Sequence, residues 1–206
     1  MAFTYEDNIP TLDLQHYMGG DEALKSQFIA DLGEIYSEIG FVAIVNHGFE
    51  TQQQDKLYRA VKSFFNLPDH LKQQYDGSFC GGQRGYTGKG KEHAAGRKVG
   101  DLKEFYHIGN EIPELGGEHY QKNIFPKEVP DFKEETLFCY KKMTDIGKVM
   151  LSAIADFLQV DSTHFNDKVN KGISILRPIH YFPIEDPDQV PDEAVRAAEH
   201  GAINLI

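Results

Sequence analysis

The chain of 206 residues has few cysteines and no long apolar run. Cys80 and Cys139 are its only cysteines, which excludes a small secreted scaffold held together by disulfides. No stretch approaches the roughly 20 apolar residues that a membrane-spanning helix needs. The first residues lack the basic flank and apolar segment of a signal peptide, and we therefore expect a cytoplasmic protein that does not associate with membranes.

Positive charge is also scarce. Lys and Arg number 21 against 32 Asp and Glu, so the formal net charge is −11. Because phosphate binding needs clustered Lys and Arg, this balance argues against nucleic acid as the main partner. A hydrophobic content of 40% with 12% aromatic residues can form a core, which excludes an intrinsically disordered chain. The sequence leaves the oligomeric state open.

Apolar periodicity predicts an α+β protein. Three substantial helices are expected, the first capped by Asp21 and ending near Ile39, the second beginning at Thr51, and the longest running from Pro130 to about Leu158. Alternating or continuous apolar residues predict strands at 9–14, 41–45, 102–108, 173–181 and 195–206. Pro178 suggests an edge or a bulge in the fourth of these strands.

The segment from Asp76 to Gly100 contains eight glycines and five basic residues. This composition predicts a long mobile loop, and loops of such length are often functional. The alternative is a poorly ordered surface loop without a role. A phosphate-binding loop is excluded, because the Gly-Lys-Ser/Thr ending of that motif is missing after Gly81.

Four stretches carry a family resemblance through their order and spacing. They are Ile9–Asp13 (IPTLD), Gly40–Gly48 (GFVAIVNHG), Asp101–Phe105 (DLKEF), and Ile179–Pro183 (IHYFP) followed by Arg196–His200 (RAAEH). Together they resemble the isopenicillin N synthase-like family of non-haem Fe(II)/2-oxoglutarate-dependent oxygenases, in particular its bacterial branch. The resemblance implies a helical N-terminal region packed on a double-stranded β-helix, a jelly-roll barrel with iron in its mouth.

This resemblance also sets expectations for the domains. Residues 1–100 are predicted to form the N-terminal helical region with the glycine-rich loop. Residues 101–206 are predicted to form the first part of the double-stranded β-helix, with its long supporting helix. Because the chain stops at Ile206 within an apolar strand, we expect a C-terminally truncated form with an incomplete barrel.

The resemblance implies a chemistry. In such enzymes two His and one carboxylate hold Fe(II), and 2-oxoglutarate and dioxygen occupy the open positions and yield a ferryl that hydroxylates or desaturates a small molecule. His200 stands at the position of the first ligand. The family's Asp two residues later is Ala202 here, and Glu199 would point to the opposite face of a strand. With one ligand of three identified, we expect this chain by itself to hold Fe(II) weakly.

Ala202 leaves alternatives open. Resembling iron-dependent halogenases replace the carboxylate by Ala or Gly and let chloride take its place. A degenerate, non-catalytic family member is the other explanation. A third possibility is an oxidation that does not use 2-oxoglutarate, as in the namesake of the family.

Other candidate site residues follow from the same resemblance. Tyr181 lies where the family often has a Tyr that contacts 2-oxoglutarate, and a packed core Tyr is the alternative. Arg84 and Tyr86 lie in a segment that resembles the substrate-proximal part of the family, and either is predicted to contact a carboxylate-bearing substrate. Arg177, four residues before Tyr181 on the same predicted strand, is a further predicted substrate contact, and surface exposure is the alternative. Glu104 and His107 have the spacing of a helical metal pair, but a strand would place them on opposite faces, so no metal site is predicted there. No nucleophile or acid–base residue is assigned.

Overall fold

The computed structural model describes residues 4–6, 9–92, 100–112, 115, 120–186, 188, 190–191 and 194–197. The helices of these residues are α1 (Leu14–Met18), α2 (Glu22–Glu38), α3 (Thr51–Phe65), α4 (Asp69–Lys72), α5 (Asp131–Phe157) and α6 (Asn166–Val169). The strands are β1 (Thr4–Glu6), β2 (Ile9–Asp13), β3 (Ala43–Val45), β4 (Gly85–Thr87), β5 (Glu104–Gly109), β6 (Ile175–Leu176) and β7 (Ile179–His180). Two 3₁₀ helices span Gln73–Tyr75 and Gly77–Cys80.

The chain folds into two compact units with interleaved segments. The first unit contains Met1–Thr51, Lys141–Asn170 and Ile206, and the second contains Gln52–Tyr140 and Lys171–Leu205. The predicted division of the chain near residue 100 concerns family domains and stays a prediction. Among the described residues no helix is both long and apolar enough to cross a membrane.

The first unit is built on a three-stranded sheet in which β2 pairs antiparallel with β1 and parallel with β3. The Asp21 carboxylate caps α2 by accepting from the backbone N–H groups of Ala23 and Leu24. The buried core of this unit comes from β2, α1, α2 and the C-terminal part of α5, and consists of Leu12, Leu14, Phe28, Leu32, Ile35, Met150 and Ala153. Burying each large apolar side chain stabilises the fold by about 1.5–3 kcal/mol.

The turn after β3 is fixed by polar contacts within the first unit. Asn46 adopts a positive φ of 52°, and its side chain donates to Asp13 Oδ2 over 2.7 Å. His47 Nδ1 accepts a hydrogen bond from the backbone N–H of Phe49. These contacts make the Asn46-His47-Gly48 segment a structural turn.

The second unit contains a sheet centred on β5. That strand pairs antiparallel with β4 on one side and with β6 and β7 on the other. Phe64 lies at the middle of the buried aromatic cluster, and its ring centroid is 4.9 Å from that of Tyr106. The buried core residues of this unit are Phe64, Phe65, Tyr86, Tyr106, Ile108, Val129 and Phe132. The described residues form helices and an antiparallel sheet here, and they do not close a barrel.

The prediction of one long loop between Asp76 and Gly100 is wrong in its first part. The 3₁₀ helix Gly77–Cys80 and strand β4 lie within it. Tyr86 is 4% exposed and pairs opposite Tyr106, so the aromatic cluster draws this segment into the sheet. Position 77 requires glycine because the backbone of Arg84 packs closely against it. A Cβ on Gly77 would lie 1.9 Å from the carbonyl oxygen of Arg84. Residues 93–99 lie outside the described part.

Candidate functional site

Strand β5 places different chemistry on its two faces. Successive side chains of a strand alternate, so Glu104, Tyr106 and Ile108 share one face while Phe105 and His107 share the other. The rings of Phe105 and His107 lie with their centroids 4.7 Å apart. The prediction that Glu104 and His107 do not act as a metal pair agrees with this alternation.

The first face carries a buried ionic cluster. The Glu104 carboxylate accepts from Lys72 Nζ at 2.8 Å, from the Tyr86 hydroxyl, and from His180 Nδ1 at 2.8 Å. The side chains of Lys72 and Glu104 are 3% and 1% exposed. Burial raises the pKa of Glu104, but the hydrogen bonds from Lys72, Tyr86 and His180 outweigh it and the net pKa is lowered. The carboxylate is therefore charged and fully partnered at neutral pH.

A single register explains the cross-strand partners of both faces. Glu104 lies opposite His180, and Ile108 lies opposite Leu176. The same antiparallel register places His107 opposite Arg177. Pro178 interrupts the outer strand because it has no N–H to donate, yet its carbonyl still accepts from Tyr106 N at 3.0 Å. The sequence predicted an edge or a bulge at Pro178. The unbroken register shows no bulge, and among the described residues β6 and β7 pair only with β5, which agrees with an edge.

His107 connects the glycine segment to Arg177. Its Nδ1 lies 2.6 Å from the Gly82 carbonyl oxygen, and its Nε2 lies 2.6 Å from Arg177 Nε. The guanidinium can only donate, so Nε2 accepts and the proton of the neutral ring lies on Nδ1, where it is donated to Gly82. Burial lowers the pKa of His107 to about 4, which keeps the ring neutral at physiological pH.

The lowered pKa of His107 predicts a pH-dependent stability. Its usual pKa is about 6.5, so between about pH 6.5 and pH 4 the unfolded chain binds a proton that the folded chain excludes. Stability is therefore lost as the pH falls through this window. Between pH 7.5 and pH 5 we expect His107 to lower the free energy of unfolding by about 2 kcal/mol. Urea denaturation at both pH values measures this loss.

The matched comparison is His107→Gln against His70→Gln, because His70 is exposed. We expect His107→Gln to flatten the change in unfolding free energy between the two pH values, and His70→Gln to leave it as in the natural protein. An unchanged pH dependence in His107→Gln would show that the buried ring is not its source.

The second face of β5 borders a cavity of about 340 Å³. Its wall contains two aromatic rings, those of Tyr86 and Phe105, together with the glycine segment and several polar side chains. The complete lining is Asp76, Ser78, Gly81, Gly82, Gln83, Tyr86, Thr87, Lys91, Glu92, Phe105, His107 and Arg177. A concave site with an aromatic wall and a few polar groups is the usual setting for a small-molecule ligand.

Arg177, predicted as a substrate contact, lines this cavity. Its Nε donates to His107, its Nη1 is 3.1 Å from Glu92 Oε1, and its guanidinium carbon lies 4.5 Å from the centroid of the Phe105 ring. Sequence reasoning did not identify Phe105, His107 or Glu92 as parts of this site. The alternation of residues along β5 was the only available signal for the first two.

Arg84 was also predicted as a substrate contact, but it is buried and is not among the residues that line the cavity. It is 1% exposed, and its guanidinium donates to the carbonyl oxygens of Gln83, Asn110 and Gln121. A Cβ on Gly109 would lie 2.2 Å from the guanidinium carbon of Arg84, so the side chain is also tightly enclosed. These contacts give Arg84 a structural role, and we do not retain it among the proposed substrate contacts.

The structure does not bring the other predicted site residues together in the cavity. The Tyr86 ring borders the cavity, but its hydroxyl donates to Glu104. Tyr181 is 42% exposed and does not line the cavity. His200 and Ala202 lie outside the described residues, so the predicted iron ligand has no structural description. Within the described part of the chain, no three His, Cys, Asp or Glu side chains are grouped closely enough to hold a metal ion.

Comparisons with known proteins agree with the resemblance found in the sequence. Residues 9–131 match the family described as "non-haem dioxygenase in morphine synthesis N-terminal". The chain therefore belongs to the non-haem Fe(II)/2-oxoglutarate oxygenase family, of which this match represents the N-terminal part. Its placement in the bacterial branch stays a prediction.

Several relatives are similar over most of this chain. The 2-oxoglutarate-Fe(II) type oxidoreductase hxnY of Emericella nidulans is 28% identical over 196 residues, which cover 89% of this chain and 54% of the relative. The 2-oxoglutarate-dependent dioxygenase frbA of Dothideomycetidae sp. is 26% identical over 97% of this chain and 62% of the relative. The chain thus spans somewhat more than half the length of the curated relatives that it matches.

Solved structures show the same similarity. A 2OG-Fe(II) oxygenase family protein from Caulobacter crescentus superposes with a TM-score of 0.75 and 32% identity, over 86% of this chain and 57% of that one. A full-length Neurospora crassa protein, solved in complex with alpha-KG, gives a TM-score of 0.79 and 26% identity over 96% and 62% of the two chains.

Proposed function

We propose that the protein is an oxidoreductase that uses Fe(II), 2-oxoglutarate and dioxygen to oxidise a small molecule. The observation that carries the proposal is the family match over residues 9–131. The names of the relatives support it, since hxnY and frbA are both named as 2-oxoglutarate-dependent or 2-oxoglutarate-Fe(II) enzymes. The same names favour oxygenation over the halogenase and non-catalytic alternatives.

The proposal assigns roles to three parts of the chain. The β4–β7 sheet would supply early strands of a double-stranded β-helix. His200 would be the first iron ligand, and Tyr181 a contact to 2-oxoglutarate. The cavity beside β5 would receive the substrate.

The test is succinate release from 2-oxoglutarate, measured on the protein expressed from its complete reading frame. We expect slow release that requires Fe(II), because Ala202 leaves the ligand set without its family carboxylate. Ala202→Asp restores that carboxylate and is expected to raise the rate on the order of 10-fold or more. Release should not depend on chloride.

Two results would count against the proposal. Absence of succinate from both the natural protein and Ala202→Asp would remove the oxygenase assignment. Chloride-dependent turnover with a chlorinated product would replace it with halogenation.

A further inference from the structure

We infer that the cavity beside β5 binds a small carboxylate, with Arg177 as the residue that contacts the carboxylate group. The inference rests on the proposed function, because it names the substrate class of that same site. It is carried by the hydrogen bonds that the cavity wall already makes, by the fixed orientation of Arg177 and by the ring of Phe105 beside it.

The two carboxylates of the wall are already engaged by the protein. Asp76 accepts from Lys91 Nζ and from the backbone N–H of Ser78, and the hydrogen bond from Lys91 lowers the pKa of Asp76 to about 2. Glu92 accepts from Lys103 at 2.8 Å as well as from Arg177. These carboxylates stay charged and occupied, so they do not favour a ligand that mainly donates hydrogen bonds.

One guanidinium nitrogen and two neutral polar side chains of the wall are open by contrast. Among the described residues, Arg177 Nη2 and the side chains of Gln83 and Thr87 make no hydrogen bond within the protein. A guanidinium has five N–H donors and no acceptor. The hydroxyl and the amide can donate or accept, so it is Arg177 Nη2 that requires an accepting ligand, and a carboxylate accepts from it with the strongest, charge-assisted geometry.

Arg177 is held in place before any ligand arrives. His107 fixes the Nε side of the guanidinium, Glu92 holds Nη1, and the ring of Phe105 supports its flat face at 4.5 Å. Such a side chain loses little conformational entropy when it binds a ligand. His107 is therefore a positioning residue, since it acts through Arg177 and both of its ring nitrogens are occupied by the protein.

The rest of the wall limits the ligand to a small molecule with some apolar surface. The cavity volume of about 340 Å³ is at the lower end for ligand pockets. Phe105 offers aromatic surface next to the guanidinium, and the ring of Tyr86 borders the same cavity. A single ring or short chain that bears a carboxylate fits this combination of size, apolar wall and fixed cation.

The test compares benzoate with benzamide, two probes of the same shape that differ in charge. Binding is measured by ligand-observed NMR without iron or 2-oxoglutarate, so that its failure is separate from any failure of oxygenase activity. We expect the natural protein to prefer benzoate by roughly tenfold, since the charge-assisted contact is lost with the amide. Arg177→Gln should abolish that preference and Arg177→Lys should retain part of it, because lysine keeps the charge but not the paired donors.

The matched control is Lys141→Gln, which removes one exposed positive charge outside the cavity and should leave the preference unchanged. A second readout is independent of variant folding. Benzoate should shift the side-chain ¹⁵N resonances of His107 in the natural protein, because that ring contacts Arg177 directly. Equal binding of the two probes, a preference that persists in Arg177→Gln, or unmoved His107 resonances would each overturn the inference.

Discussion

Replacing Glu104 with alanine is expected to lower the free energy of unfolding by about 3–5 kcal/mol. The substitution leaves the ammonium of Lys72 buried without its carboxylate, and the Tyr86 hydroxyl and His180 lose their acceptor. The lower figure is favoured, because Lys72 keeps a contact of 3.0 Å to the exposed Asp69. Urea denaturation followed by circular dichroism measures the change.

An exposed ion pair of the same chain provides the control. Lys141 and Asp145 are joined at 2.7 Å with side chains that are 77% and 50% exposed, so Asp145→Ala should cost no more than about 0.5 kcal/mol. The double variant Lys72→Met/Glu104→Gln removes both buried charges and keeps an acceptor for Tyr86 and His180. It should recover part of the stability lost in Glu104→Ala. A Glu104→Ala effect no larger than that of Asp145→Ala would contradict the buried cluster.

The cluster illustrates what a sequence can predict and what it cannot. Alternation along β5 was enough to separate Glu104 from His107, because that periodicity is local. The partner of Glu104 was not predictable, since Lys72 lies on a short helix 32 residues earlier and pairs only through the fold. Local pattern therefore indicates the face of a side chain, while the identity of its partner depends on strand register.

The glycine-rich segment also shows the limit of prediction from local sequence. Its composition is typical of a loop, yet Tyr86 is buried and the segment around it forms β4. One aromatic residue packed against Phe64 outweighs the weak strand propensity of the glycines beside it. Arg84 was predicted as a substrate contact from the family resemblance of its segment, whereas in the structure its guanidinium is buried and donates to three backbone carbonyls.

The positions of the helices were predicted more accurately than the residues of the candidate site. The helix capped by Asp21 and the helix beginning at Thr51 are observed at those positions, and the longest runs from Asp131 to Phe157. Their apolar faces repeat with helical spacing, a signal that needs no knowledge of distant residues. The cavity depends instead on Arg177, which lies between β6 and β7, meeting His107 on β5, and no local pattern indicates this contact.

His200→Ala is expected to have the largest effect on activity. The residue ends the RAAEH stretch at the position of the family's first iron ligand, and Ala202 supplies no donor atom two residues later. His200 is therefore the one ligand that the sequence of this chain identifies. Because even residues that merely support a ligand alter metal affinity or activity 10- to 100-fold, loss of the ligand itself should reduce activity by more than about 100-fold.

The most direct test of the assignment is Fe(II)-dependent succinate release by the natural protein, His200→Ala and His16→Ala, all expressed from the complete reading frame. His16 is an exposed histidine and provides the matched control. We predict release by the natural protein and by His16→Ala, and a loss of more than about 100-fold in His200→Ala. Equal release by all three proteins would contradict iron ligation at position 200 and the oxygenase chemistry that depends on it.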